Sequence, residues 1–178
     1  SYGFAFYSCC ERFSVTDSYG EDLRHFFTIG GVNGVSRFGT VKGNTCRAMT
    51  DSFLDAHPAA EFITFDGNVG EHETNFDGDG LVYQGANGVI TGNTIISANT
   101  AGILVQPFAY HTRNSIVIAN NIVSRVETSS GYGILLDVRQ RIDGLMISGN
   151  VIHSPVGFGI SINAQGADIF QTTISANS

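Results

Sequence analysis

A short phrase recurs six times along this chain: an aliphatic or aromatic residue, one spacer, a small residue or asparagine, and then asparagine. The copies end at Asn44, Asn68, Asn93, Asn121, Asn150 and Asn177, and a weaker copy ends at Ser18. Successive asparagines stand 24, 25, 28, 29 and 27 residues apart. A repeat length of about 20 to 50 residues is typical of a solenoid, in which each repeat buries its apolar face against its neighbours. The sequence therefore predicts a stack of similar turns.

A second phrase runs in step with the first and predicts a strand in each repeat. The segments are 53–57, 80–84, 102–106, 133–137 and 159–163. Gly, Asn, Ser and Thr, which favour turns, separate these segments from the asparagine phrases, and no segment shows the 3.6-residue period of a helix. Two or three short strands per repeat predict an all-β fold, a right-handed parallel β-helix of about seven rungs.

The repeated asparagine has a physical role in such a stack. Asparagines at the same turn of successive rungs can donate side-chain amides to one another and satisfy backbone groups that the bend leaves unpaired. The preceding glycine tolerates the positive φ that such a bend demands. We therefore expect an asparagine ladder along the solenoid.

Length and composition predict one domain that spans residues 1–178. The chain is 42% hydrophobic, carries a net charge of −7, and has no apolar run of about 18 residues. The acidic balance argues against a nucleic-acid partner, and the absence of such a run argues against membrane insertion. Because neither end carries a polar cap, we expect a fragment of a longer β-helix or ends that other subunits cover.

The three cysteines, Cys9, Cys10 and Cys46, have no metal-ligand spacing. We expect free, buried thiols. A bridge between adjacent rungs, from Cys9 or Cys10 to Cys46, is the alternative.

The strand phrase predicts which side chains point outward. By the two-residue period of a strand, the second and fourth positions face the core and the third and fifth face out. The outward fifth positions form a polar column: His57, Gln84, Gln106, Asp137 and Asn163. Amides, carboxylates and imidazoles can pair with the hydroxyls of a sugar chain, whereas the alternative interpretation is an ordinary solvated sheet face.

The densest cluster of ionisable residues pairs Arg24-His25 with Asp55-Ala56-His57-Pro58, about one repeat later. We expect Leu23 to stack on Leu54, which places Arg24 over Asp55 and turns His25 toward Ala56. Asp55 or His57 could then act as a general acid or base beside the Arg24 cation. A structural ion pair between Arg24 and Asp55 explains the same residues.

Two segments after strands, 71–79 and 107–113, are expected to be loops that project beside the polar column. They supply Tyr110, His111 and Arg113, and a carboxylate partner for Asp55 in either Asp79 or Glu73. Asp77 and Asp79 faintly suggest a Ca²⁺ loop, but the acidic residue that closes an EF-hand loop is missing, so a tight turn is favoured.

The Arg24-His25 and Asp55-x-His57-Pro58 motifs, one rung apart within these repeats, resemble the pectate-lyase-like β-helix proteins that include bacteriophage tailspikes. The resemblance implies a trimeric, virion-borne or secreted protein that binds a bacterial surface polysaccharide and often cleaves it by hydrolysis or β-elimination. The Ca²⁺-binding aspartates and basic segment of pectate lyases are absent, as is the signature of mannuronan epimerases.

We therefore expect a polysaccharide depolymerase, with a non-catalytic adhesive or trimerisation shaft as the alternative. No cofactor is expected, and the choice between hydrolase and lyase stays open. The expected catalytic residues are Arg24, His25, Asp55, His57 and Asp79. The expected substrate-binding residues are Gln84, Gln106, Tyr110, His111, Arg113, Asp137, Arg139 and Asn163.

Overall fold

The computed structural model describes residues 1–7, 9–30, 34–73, 78–108, 114–128, 131–153 and 155–178. These residues form strands, turns and bends without a helix, and accordingly no helix among them could cross a membrane. The strands are, in chain order, β1 (Tyr2–Phe6), β2 (Ser14–Thr16), β3 (Tyr19–Glu21), β4 (His25–Ile29), β5 (Ser36–Lys42), β6 (Thr45–Met49), β7 (Leu54–Ala56), β8 (Ala60–Asp66), β9 (Val69–His72), β10 (Leu81–Tyr83), β11 (Gly88–Thr91), β12 (Thr94–Ser97), β13 (Ala101–Val105), β14 (Ser115–Ala119), β15 (Ile122–Val123), β16 (Tyr132–Val138), β17 (Gly144–Ser148), β18 (Val151–Ile152), β19 (Phe158–Ala164) and β20 (Thr172–Ser175).

Every third strand belongs to the same parallel sheet. Sheet A runs β1-β4-β7-β10-β13-β16-β19, sheet B runs β2-β5-β8-β11-β14-β17-β20, and sheet C runs β3-β6-β9-β12-β15-β18. Six turns therefore contribute a strand to all three sheets, and a seventh contributes to sheets A and B. The predicted all-β, right-handed parallel β-helix is confirmed.

Apolar side chains stack in register inside the solenoid. In sheet A, Leu54 pairs with Leu81, Leu81 with Ile103, and Ile103 with Ile134, and all four are fully buried. These are the predicted inward positions. Ile162 of β19 is 36% exposed, because β19 is the last strand of sheet A and has a neighbour on one side only.

The predicted asparagine ladder runs through the bend between sheets B and C. Asn93 shows the pattern: its Nδ2 donates to the Oδ1 of Asn121 at 3.0 Å and to the carbonyl of Phe65 at 3.0 Å. Its own Oδ1 accepts from the backbone N–H and the Nδ2 of Asn68. The same bonds join Asn44, Asn68, Asn93, Asn121, Asn150 and Asn177.

The residue before each asparagine adopts the left-handed conformation. Gly43, Gly67, Gly92 and Gly149 have φ near +65°, which glycine adopts without steric cost. Asn120 and Ala176 take φ values of 56° and 52° at the two rungs that lack the glycine. The bend is therefore conserved in geometry where its preferred residue is replaced.

All three cysteines are free thiols, as expected. Cys46 is buried, and burial raises the pKa of its thiol above the usual value. Cys9 is exposed and Cys10 is partly exposed, so the expectation of burial was wrong for these two. They lie in the first turn, before the sequence enters the stacked strands of sheet B.

Candidate functional site

The register between β4 and β7 differs from the expected one. Thr28 pairs with Asp55, and Phe27 takes the position beside Leu54 that was expected for Leu23. The large apolar side chains of Phe27 and Ile29 fill the two inward positions of β4, which fixes its alignment. The expected stacking of Arg24 on Asp55 and the turn of His25 toward Ala56 were therefore wrong.

The expected cluster nevertheless forms, around a cleft on the outer face of sheet A. This cleft, the reactive cleft, has a volume of about 410 Å³. Its lining includes all five expected catalytic residues and the first amide of the polar column. The lining residues are Tyr2, Tyr7, Arg24, His25, Thr28, Asp51, Ser52, Asp55, His57, Asp79, Val82, Gln84 and Leu104.

Arg24 and His25 enter the cleft from the start of β4 and share one carboxylate. Arg24 Nε lies 3.2 Å from Asp51 Oδ2, and His25 Nε2 lies 3.6 Å from the same oxygen. His25 Nδ1 also lies 2.7 Å from the carbonyl oxygen of Ser52. The Arg24 cation is thus paired with an acidic side chain of the cleft itself.

Asp55 and His57 come from β7 and the residue just after it. Asp55 points outward from the middle of the strand, yet only 6% of its surface is exposed. Its Oδ2 lies 3.0 Å from His57 Nε2. A hydrogen bond to this carboxylate raises the pKa of His57, although partial burial of the imidazole opposes the shift. The pair places a carboxylate and an imidazole side by side in the cleft.

Asp79 precedes β10 and lies at the other wall of the cleft. Its Oδ1 accepts a hydrogen bond from the backbone N–H of Ala101 at 2.9 Å. Burial raises the pKa of Asp79 to about 6; this bond opposes the shift, and the charges of Asp51 and Asp55 reinforce it. Asp79 is therefore a carboxyl group that can hold its proton close to neutral pH.

The polar column continues from the reactive cleft along sheet A. Gln84 Nε2 donates to Gln106 Oε1 at 3.2 Å, and Gln106 Nε2 donates to Asp137 Oδ2 at 2.7 Å. Asn163 Nδ2 donates to Asp137 Oδ1 at 3.2 Å, and Arg139 Nη2 lies 3.0 Å from Asp137 Oδ2. The predicted column is thus one hydrogen-bonded series centred on Asp137.

A second cleft, the distal cleft, lies along the same face. Leu104 lines both clefts, so they are neighbours on sheet A. The distal cleft combines Gln106, Asp137 and Asn163 with an aromatic side. There Tyr132 stacks on Phe158, with ring centroids 5.8 Å apart. Polar groups on one side and aromatic rings on the other suit the edges and faces of a sugar ring.

Part of the acidic segment 71–79 does not lie where it was expected. Glu71 and His72 belong to β9 of sheet C and are not loop residues. With Glu73 they line a separate groove that also contains Glu21, Arg47 and Arg125. Glu73 is therefore not a partner of Asp55. The sequence could not show this, because the short strands of sheet C lack a clear apolar alternation.

Several expected residues lie outside the described residues: Asp77, Tyr110, His111 and Arg113. Among the residues that the structure does describe, no group of three His, Cys, Asp or Glu side chains could hold a metal ion. Asp79 itself bonds to a backbone N–H, as a turn residue does.

The sequence analysis missed Asp51, Tyr2 and Tyr7, which all line the reactive cleft. Asp51 follows Arg24 by 27 residues, a separation within the spacing of the asparagines. That spacing also contains the true 27-residue offset of Thr28 and Asp55 but excludes the 31-residue offset that was expected for Arg24 and Asp55. Applying the ladder period to sheet A would have placed Asp51 beside Arg24.

Comparisons with known proteins support the fold. The family described as right-handed β-helix region matches residues 28–178. No curated protein and no solved structure matches the chain. The match covers most of the chain and includes the strands that form both clefts, so this protein belongs to the right-handed β-helix family.

Proposed function

We propose that the chain binds a bacterial surface polysaccharide along sheet A and cleaves it by hydrolysis in the reactive cleft. The observation that carries this proposal is the pair of carboxyl groups in one cleft, Asp55 beside His57 and Asp79 with its pKa raised to about 6. Glycoside hydrolysis uses one carboxyl group that keeps its proton and a second carboxyl group that is ionised.

Asp79 is the proposed general acid. It gives its proton to the leaving oxygen as the glycosidic bond breaks, and Asp55 assists the attack at the anomeric carbon. In an inverting reaction Asp55 removes the proton of the attacking water, and in a retaining reaction it is the nucleophile. Both routes add one water to the cleaved bond, and both return the proton to Asp79 after turnover.

Hydrolysis fits the cleft better than β-elimination. Elimination needs a base beside a sugar carboxylate whose charge is neutralised by a cation. Arg24 is the arginine among the described residues that line the cleft, and it is already paired with Asp51. Three aspartates line the same cleft and would repel a uronate.

The test is a panel of capsules and O-antigens incubated with the wild type and with the Asp55→Asn and Asp79→Asn variants. Hydrolysis predicts new reducing ends without unsaturated-uronate absorbance, and at least a hundredfold loss of rate in both variants. The control is Asp66→Asn, which removes the partner of Lys42 on sheet B and should keep full activity. No reducing ends across a broad panel, or equal rates in all variants, would refute the proposal.

A non-catalytic adhesive shaft has one observation in its favour. The side chains of the polar column already satisfy one another, from Gln84 through Gln106 to Asp137, as a purely structural ladder would. This alternative predicts glycan binding, or none, without any new reducing ends. The resemblance to tailspikes also leads us to propose a trimer that is carried on a virion or secreted, which the mass of the purified protein in solution tests.

A further inference from the structure

The amides of the polar column all point the same way. We call Gln84, Gln106 and Asp137 the amide relay. Gln106 donates its NH₂ group to Asp137, and Gln84 donates its NH₂ group to Gln106. The donors therefore face Asp137 at every step, and the carbonyl oxygens face back toward the reactive cleft.

The chemistry of Asp137 sets this direction. An ionised carboxylate accepts hydrogen bonds and cannot donate one, so its neighbour must present N–H groups. Burial alone would raise the pKa of Asp137, but hydrogen bonds from Gln106 and Arg139 outweigh burial and lower it. Asp137 is thus ionised at neutral pH and requires the NH₂ group of Gln106.

The direction passes from Gln106 to Gln84 and then to His57. Gln106 turns its carbonyl toward Gln84, so Gln84 must supply an N–H there and keeps its own carbonyl for the other side. The side chain of Gln84 hydrogen-bonds to His57 and raises the pKa of the imidazole, as an acceptor does. His57 therefore faces two acceptors, the Gln84 carbonyl and the Asp55 carboxylate.

We propose that Asp137 is a positioning residue for His57: through Gln106 and Gln84 it turns an amide carbonyl toward the imidazole, three turns away along sheet A. A neutral imidazole has one N–H and cannot satisfy two acceptors, whereas the imidazolium can. The relay thus favours the charged form of His57. Its meaning for catalysis rests on the proposed function: His57 acts as a fixed cation beside Asp55, and proton transfer is left to Asp79.

Other charged and ionisable groups also face His57. They are Tyr7 after β1, Tyr2 in β1, Arg24 and His25 at the start of β4, Asp51 and Asp55 around β7, and Asp79 before β10. The test leaves all of them in place and changes only the relay.

The test is an NMR titration of His57 in the intact chain. The chain has five histidines, and His57→Gln assigns the resonance. Gln106→Leu breaks the relay without changing any charge, so Gln84 can rotate and offer its NH₂ group. The pKa of His57 should fall by about half a unit, the equivalent of one ordinary hydrogen bond. Gln84→Leu, which removes the acceptor itself, should lower it by at least as much.

Asn163→Ala is the matched control. Asn163 also donates to Asp137 but lies on the side away from His57, so its removal should leave the His57 titration unchanged. An unchanged His57 pKa in Gln106→Leu, or an equal fall in Asn163→Ala, would overturn the proposal. Because the titration needs no substrate, a failure of the relay is distinguishable from a failure of the proposed glycan cleavage.

Discussion

Replacing Asp79 by Asn should stabilise the protein in a pH-dependent way. The folded state raises the pKa of Asp79 from 3.8 to about 6, so between these values the folded chain binds more protons than the unfolded chain. Stability from the protonated carboxyl group is therefore fully present below pH 4 and is lost as the pH rises through 6. A shift of about two units corresponds to about 3 kcal/mol.

The asparagine of the variant carries no charge at any pH and keeps an oxygen for the N–H of Ala101. The difference in unfolding free energy between Asp79→Asn and wild type should therefore rise by about 2 to 3 kcal/mol from pH 3.5 to pH 7.5. Urea unfolding followed by circular dichroism at several pH values measures this difference. Any constant offset from the new amide cancels in the comparison across pH.

Ser52→Ala is the control for this measurement. Ser52 is buried in the same cleft, next to Asp51, and its side chain has no charge. Its effect on stability should be the same at every pH. A difference between Asp79→Asn and wild type that does not change between pH 3.5 and pH 7.5 would refute the assignment of Asp79 as the proposed general acid.

Three further predictions concern the fold. Asn93→Ala leaves two N–H groups of Asn68 and the carbonyl of Phe65 without their partner, so chemical denaturation should show a loss of about 3 to 6 kcal/mol, and a loss below 1 kcal/mol would contradict the ladder. Tyr83→Phe removes the buried hydrogen bond to Ala86 and should lower the unfolding free energy by about 1 to 2 kcal/mol in the same assay. A thiol reagent should label exposed Cys9 in the folded protein but reach Cys46 only after unfolding, because burial keeps that thiol protonated.

The fold could be predicted from the sequence because one physical requirement repeats. Each bend leaves backbone groups that a stacked asparagine satisfies, so Asn44 through Asn177 mark every rung. The inward positions follow from the same repeat, since only apolar side chains fit between stacked strands. These features are local and periodic, and neither depends on contacts between distant segments.

The site could be predicted only in part. Its membership was visible, because Arg24, His25, Asp55 and His57 lie in successive turns of sheet A. Its pairing was not, because the register of β4 depends on how Phe27 and Ile29 pack in the core. That register places Asp51 beside Arg24. The raised pKa of Asp79 depends on burial, which no motif reveals.

The most direct test of the account is to run the glycan panel in water enriched in ¹⁸O and to weigh the products by mass spectrometry. Hydrolysis in the reactive cleft predicts one ¹⁸O at each new reducing end with the wild type, and a loss of these products with Asp79→Asn. Products that carry an unsaturated uronate and no ¹⁸O would show elimination instead. Intact glycans throughout the panel would contradict the claim that the reactive cleft cleaves a polysaccharide.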